Sequence, residues 1–79
     1  MKLKIYLQLY SILREKLPPE ANGQAVLQLN DGASLQDLLD GLDITRKVVI
    51  SVNADHESDM SRRLQDGDRV KIFSSISGG

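Results

Sequence analysis

A chain of 79 residues makes one domain, near the lower size limit for folding without covalent or metal staples. It has no cysteine, which excludes a disulfide framework, a thiolate metal site and a cysteine nucleophile. Ten Lys+Arg against eleven Asp+Glu give a net charge of −1 with no long run of one sign, so no nucleic-acid partner is expected, because such binding is driven by a basic surface.

The first residues, Met1-Lys2-Leu3-Lys4, alternate apolar and charged side chains, unlike the continuous apolar core of a signal peptide. No apolar run approaches the ~20 residues that span a bilayer, so no membrane is expected. A soluble, cytoplasmic domain is predicted; a reducing compartment suits a cysteine-free chain.

Residues 2–10 alternate cleanly. Leu3, Ile5, Leu7 and Leu9 face one way and Lys2, Lys4, Tyr6 and Gln8 the other, which predicts a half-buried strand. Ser11 then reads as an N-cap for a short helix over residues 12–17, stopped by Pro18-Pro19. Residues 18–23 read as a loop. Residues 24–30 alternate again, with Ala25, Leu27 and Leu29 inward, and Asn30-Asp31-Gly32 is a turn signal.

Ser34 followed three residues later by Asp37 matches a capping pattern, and Leu35, Leu38, Leu39 and Leu42 form one apolar stripe on a helix that Gly41 brings toward its end. Residues 48–53 are rich in β-branched side chains and predict a third strand, with Val48, Ile50 and Val52 inward. Residues 53–61 read as a polar loop holding the only histidine, His56, as a solvated group. Leu64 is expected to plug the core from a loop. Asp66-Gly67-Asp68 reads as a turn rather than a metal site, because aspartate stabilises turns locally. Residues 69–73 form the last full strand, with Val70 and Ile72 inward. The order predicts an α+β roll: a mixed sheet of four to five strands, one main helix on one face, and a short helix after the first strand. Residues 1–73 make the domain and residues 74–79 a flexible tail.

That tail ends in Gly78-Gly79. Without Cβ atoms, the pair makes a thin strip of backbone able to enter a channel too narrow for side chains, with an unhindered carboxylate at its end. Taken alone, it reads better as a frayed terminus, and only the rest of the chain reverses that reading. The remaining residues offer no competing centre, because one histidine and scattered carboxylates make neither a triad nor a metal cluster.

Three segments carry a resemblance. Tyr10-Ser11-Ile12-Leu13-Arg14-Glu15 resembles the aromatic-small-x-Leu-Arg-Glu signature after the first strand of the molybdopterin synthase small subunit. Val52-Asn53 with Leu64-x-Asp66-Gly67-Asp68-x-Val70 resembles a second pattern of the same group, and Gly78-Gly79 completes it. The group is similar to ubiquitin and has the β-grasp fold. The thiamine-pathway sulfur carrier shares the fold and the Gly-Gly end but is typically shorter and lacks the Leu-Arg-Glu helix. The sequence departs from the pattern twice: Phe73-Ser74-Ser75-Ile76-Ser77 stands where Pro-Pro-Val is usual, and Ala54 where a glycine usually follows Val-Asn.

The resemblance implies a sulfur carrier. An ATP-dependent, ubiquitin-activating-like adenylyltransferase would adenylate Gly79, and a persulfide would convert the acyl-adenylate to a thiocarboxylate. That group would donate sulfur to a cyclic pyranopterin inside the large subunit of molybdopterin synthase, with which the chain would form a heterotetramer. Gly79 and Gly78 would be the reacting residues. No bound cofactor is implied beyond this covalent activation, and the chain would be a donor subunit rather than a complete catalyst. Arg14-Glu15 reads equally as a surface pair or a partner contact. Tyr6, Val49 and Phe73 on the outward face of the sheet, with Ile76 and Ser77 beyond, predict an apolar docking surface leading to the tail. A carrier for another pathway, a ubiquitin-like protein modifier and a plain interaction module remain as alternatives.

Overall fold

The computed structural model describes residues 2–45, 47–57 and 59–74. The strands are β1 (Lys2–Leu9), β2 (Gln24–Asn30), β3 (Val48–Val52), β4 (Asp55–Glu57) and β5 (Arg69–Ser74), with one α-helix, α1 (Leu35–Gly41). They form one sheet in the order β2-β1-β5-β3-β4. The first and last long strands lie parallel at its centre, with Tyr6 opposite Arg69 and Leu9 opposite Ile72. β2 pairs antiparallel with β1, and β3 antiparallel with β5. This is the mixed five-stranded sheet with a helix across one face that defines the β-grasp, ubiquitin-like fold.

The period-two pattern of β1 becomes strict alternation of buried and exposed residues. Leu3, Ile5, Leu7 and Leu9 point to the same side as Ile50, Val52, Val70 and Ile72, where Leu35, Leu38 and Leu39 of α1 cover them. Each such side chain contributes about 1.5–3 kcal/mol through burial. Leu64 plugs the core from its loop, as its isolation in a polar stretch predicts, and Ile44 does so just after the helix. Ser34 caps α1 through a reciprocal box: its hydroxyl accepts from the Asp37 N–H, and the Asp37 carboxylate accepts from the Ser34 N–H.

The structure corrects the reading of Ser11. The short helix is a 3₁₀ helix, Ser11–Lys16, in which Ser11 is the first residue and Tyr10 the N-cap, and no side-chain cap bond forms. Tyr10 remains extended because its N–H donates to the Ile72 carbonyl, so the chain must turn abruptly at Ser11, whose φ is 55°. A second 3₁₀ turn, Pro19–Ala21, lies within the stretch read as a loop. Gly23 then passes so close to β1 that a Cβ would sit 2.6 Å from the Leu9 carbonyl oxygen, at a φ of 77°.

The polar stretch after β3 is also more ordered than its composition suggests. Asn53 and Ala54 have φ values of 53° and 73°, the left-handed values a two-residue hairpin turn requires, and β4 pairs back onto β3. Ala25, Leu27 and Leu29 of β2 face inward as expected but are only half-buried, since β2 is an edge strand.

Candidate functional site at the end of the last strand

Residues 75–79 lie outside the described residues, and with them Ile76, Ser77, Gly78 and Gly79. What the structure defines is the strand that carries them and the surface at its root.

β5 is fixed at both ends. At its start, the Asp66-Gly67-Asp68 turn holds it against β1 and β3. One Asp66 carboxylate oxygen accepts from the Lys4 N–H at 2.7 Å, and the Gly67 N–H donates to the Lys4 carbonyl at 2.8 Å. Asp68 is buried, and its two oxygens accept from the Gln65 N–H at 2.8 Å and the Asn53 side-chain amide at 3.0 Å. Asn53 answers with its own oxygen, which accepts from the Arg69 N–H at 3.0 Å. The Val-Asn and Leu-x-Asp-Gly-Asp-x-Val segments are therefore one interlocked structural device. Their distance in sequence hides a hydrogen-bonded joint that positions the tail-bearing strand.

At its other end, β5 pairs Phe73 with Val49 and Ser74 with Val48. The Phe73 ring stacks on Tyr10, with centroids 4.3 Å apart and planes 14° apart. Tyr10 is a site residue that the sequence gives as part of a motif but not as a surface partner. The signal that would have found it is parallel pairing of β1 with β5, which places the residue after Leu9 beside the one after Ile72.

The structure therefore brings Val49 and Phe73 together and joins Tyr10 to them. Tyr6 shares the outward face but sits four residues back along the ladder, opposite Arg69, whose guanidinium lies 5.7 Å from the Tyr6 ring centroid. Val26 lies opposite Tyr6 on β2. Between these two apolar groups runs a polar row of Gln24, Gln8, Lys71, Ser51 and His56, set by the strand registers. The outward positions of β1 and β5 also carry Lys2, Lys4, Arg69 and Lys71, and no outward strand position among the described residues carries a carboxylate. The near-zero net charge thus conceals a cationic open face.

The Leu-Arg-Glu segment divides its roles. Leu13 is a core residue, whereas Arg14 and Glu15 are exposed and form no ion pair with each other. Ile12 is 52 % exposed beside them. His56 is exposed on β4. Among the described residues, no cluster of three or more His, Cys, Asp or Glu side chains is placed to hold a metal, and no helix is long and apolar enough to cross a membrane.

A helix-backed five-stranded sheet with its first and last long strands parallel at the centre places the chain among ubiquitin-like, β-grasp proteins. The ThiS family model matches residues 7–79, nearly the whole chain. The chain belongs to the ThiS family of ubiquitin-like sulfur carriers. Several solved structures share the fold. A candidate molybdopterin converting factor subunit 1 from Pyrococcus furiosus superposes with a TM-score of 0.74 at 20% identity, covering 94% of this chain and 99% of that one. Small archaeal modifier protein 1 of Haloferax volcanii gives 0.74 at 13% identity, covering 94% and 99%. A complex of subunits 1 and 2 of the molybdopterin-converting factor from Helicobacter pylori gives 0.61 at 14% identity, covering 98% and 100%. No curated protein sequence matches the chain.

Proposed function

We propose that this carrier is the sulfur-donating small subunit of a molybdopterin synthase. An ATP-dependent adenylyltransferase activates the Gly79 carboxylate, and the outer sulfur of a donor persulfide displaces AMP to give an acyl disulfide. A thiol then cleaves its S–S bond and leaves as a disulfide with the donor. The thiocarboxylate so released delivers sulfur to a cyclic pyranopterin in the large subunit. The chain contributes position rather than catalysis. β5 is clamped by Asp68 and Asn53 at one end and by the Phe73–Tyr10 stack at the other, so the tail begins from a fixed point and the search for the acceptor becomes local. Absent Cβ atoms at Gly78 and Gly79 leave the carbonyl open to attack and the strip narrow.

The observation that carries the carrier reading is a family match that runs through residue 79 and so includes both terminal glycines. The choice of molybdopterin is supported by the helical Leu13-Arg14-Glu15 segment between β1 and β2, and by a likeness to a subunit found complexed with its subunit 2. Tyr10, Val49 and Phe73, with Lys71 in the next row of the same face, form the docking surface for that large subunit and, in turn, for the activating enzyme. A second reading, conjugation to lysines of other proteins, is favoured by the equal fold likeness to a small archaeal modifier protein.

The test is reconstitution. The chain, prepared with a C-terminal thiocarboxylate, is mixed with a molybdopterin synthase large subunit and the cyclic pyranopterin. Dithiolene formation, with one carboxylate regenerated per sulfur transferred, is expected. Binding without sulfur transfer contradicts the assignment, and isopeptide-linked Gly79 on cellular proteins establishes the second reading instead.

A further inference from the structure

We infer that the outer edge of β2 is an association surface, and that its occupant is the same edge of a second copy of this chain. The two edges of the sheet are managed differently. β4 is three residues long and carries Asp55 and Glu57, the short, charged design that discourages strand addition. β2 is seven residues long, Gln-Ala-Val-Leu-Gln-Leu-Asn, with no charge, no proline and an unbroken register against β1 from Gln24 to Asn30. Among the described residues, nothing pairs with its outer side.

The ladder fixes which groups face outward. The N–H groups of Tyr6 and Tyr10 donate toward the β5 side, while that of Leu9 donates to Gly23, so odd residues of β1 bond to β2. Their partners are Ala25, Leu27 and Leu29. The backbone N–H and C=O groups of Val26 and Gln28 therefore point away from the sheet.

This edge is complementary to itself. Antiparallel pairing about Leu27 sets Val26 against Gln28 of the second copy and Gln24 against Asn30, and these are the residues with outward-facing backbone groups. On the helix side, the same register sets Leu27 against Leu27 and Ala25 against Leu29. These side chains are only half-buried in the single chain, and together they form one apolar ladder. With no charged side chain on β2, no like charges meet, and the two sheets join into one of ten strands. The register leaves the Phe73 surface and the end of β5 free, because β1 lies between β2 and β5.

Sedimentation velocity and amide hydrogen exchange on the full chain, from micromolar to millimolar concentration, test this. A monomer–dimer equilibrium is expected, with protection of the Val26 and Gln28 amides rising at least ~10-fold with concentration while Leu27, already bonded to β1, changes little. Gln28→Pro removes an outward N–H without touching the β1 ladder and is expected to abolish dimers while leaving the melting temperature near the parent value. Three results overturn the inference: a monomer at every concentration with Val26 and Gln28 unprotected, a dimer that survives Gln28→Pro, or edge amides that become protected only when another protein is added.

Discussion

Replacing Asp68 by alanine tests the idea that two distant sequence segments act as one joint. The side chain is 6% exposed and accepts two hydrogen bonds, from Gln65 N–H and from the Asn53 amide. A bond to a charged acceptor is worth about 1.5–3 kcal/mol when it is sheltered. Gln65 and Asn53 are themselves exposed, so water recovers part of the loss on their side. The expected cost of Asp68→Ala is therefore about 2–3 kcal/mol, below the full sum of two bonds. Asp68→Asn keeps the shape and one acceptor but places an N–H₂ group against a donor, and should cost about 1–1.5 kcal/mol. Urea unfolding gives both values by linear extrapolation, with the slope unchanged if only the joint is affected. Asn53→Ala combined with Asp68→Ala should cost less than the sum of the single changes by at least about 0.5 kcal/mol. A loss below about 0.5 kcal/mol for Asp68→Ala, or strict additivity with Asn53→Ala, refutes the joint.

The hairpin turn gives a prediction of opposite sign. Ala54 holds a φ of 73°, which costs an L-residue about 1–2 kcal/mol, so Ala54→Gly should stabilise the fold by about 0.5–1 kcal/mol after glycine's extra chain entropy is subtracted; a lower melting temperature contradicts this. A charge at Phe73 breaks its stack with Tyr10 and enters the proposed docking surface. Phe73→Asp should weaken large-subunit binding at least ~10-fold in calorimetry with the fold retained by circular dichroism, and unchanged affinity removes this surface from the account. Acid stability should report the Glu57–Asp59 loop. The Arg62 side chain, then the Asp59 N–H, holds Glu57 below its usual carboxylate range, and the Ser61 hydroxyl and N–H do the same for Asp59. Both folded values lie below the unfolded ones, so their contribution is present above the ordinary carboxylate range and disappears as pH falls through the depressed values. Arg62→Met should therefore lower the melting temperature slightly at neutral pH, with the difference closing in acid; a pH-independent difference contradicts the assignment.

The strands and main helix were legible because their signals are local and unopposed. Leu3 to Leu9 alternate without interruption, and Ser34 with Asp37 announces the helix start. β4 was not legible, since its hairpin turn is Asn53-Ala54 rather than the Asn-Gly that normally signals one, and three polar residues carry no period. Ser11 looked like a cap because serine favours that role, but the Tyr10 bond to Ile72 holds the preceding residue in the sheet. The site was readable as a set of residue types and not as an arrangement. Val49 and Phe73 meet as neighbours on paired strands, whereas Tyr6 is separated from them by the Gln8–Lys71 row, a consequence of the β1–β5 register that no local pattern encodes. Asp66 and Asp68 were readable as a turn, but the grip of Asp68 on Asn53 depends on β3 and β5 being neighbours.

The proposed function stands or falls on sulfur at Gly79. Intact-mass analysis of the chain isolated from its native host tests it most directly. A fraction heavier by the exchange of one oxygen for sulfur, localised to the peptide ending Ser77-Gly78-Gly79 and missing when the activating enzyme is removed, is the predicted result. Only unmodified carboxylate in cells that are making the sulfur-containing product, or full product formation by a chain lacking Gly79, contradicts it.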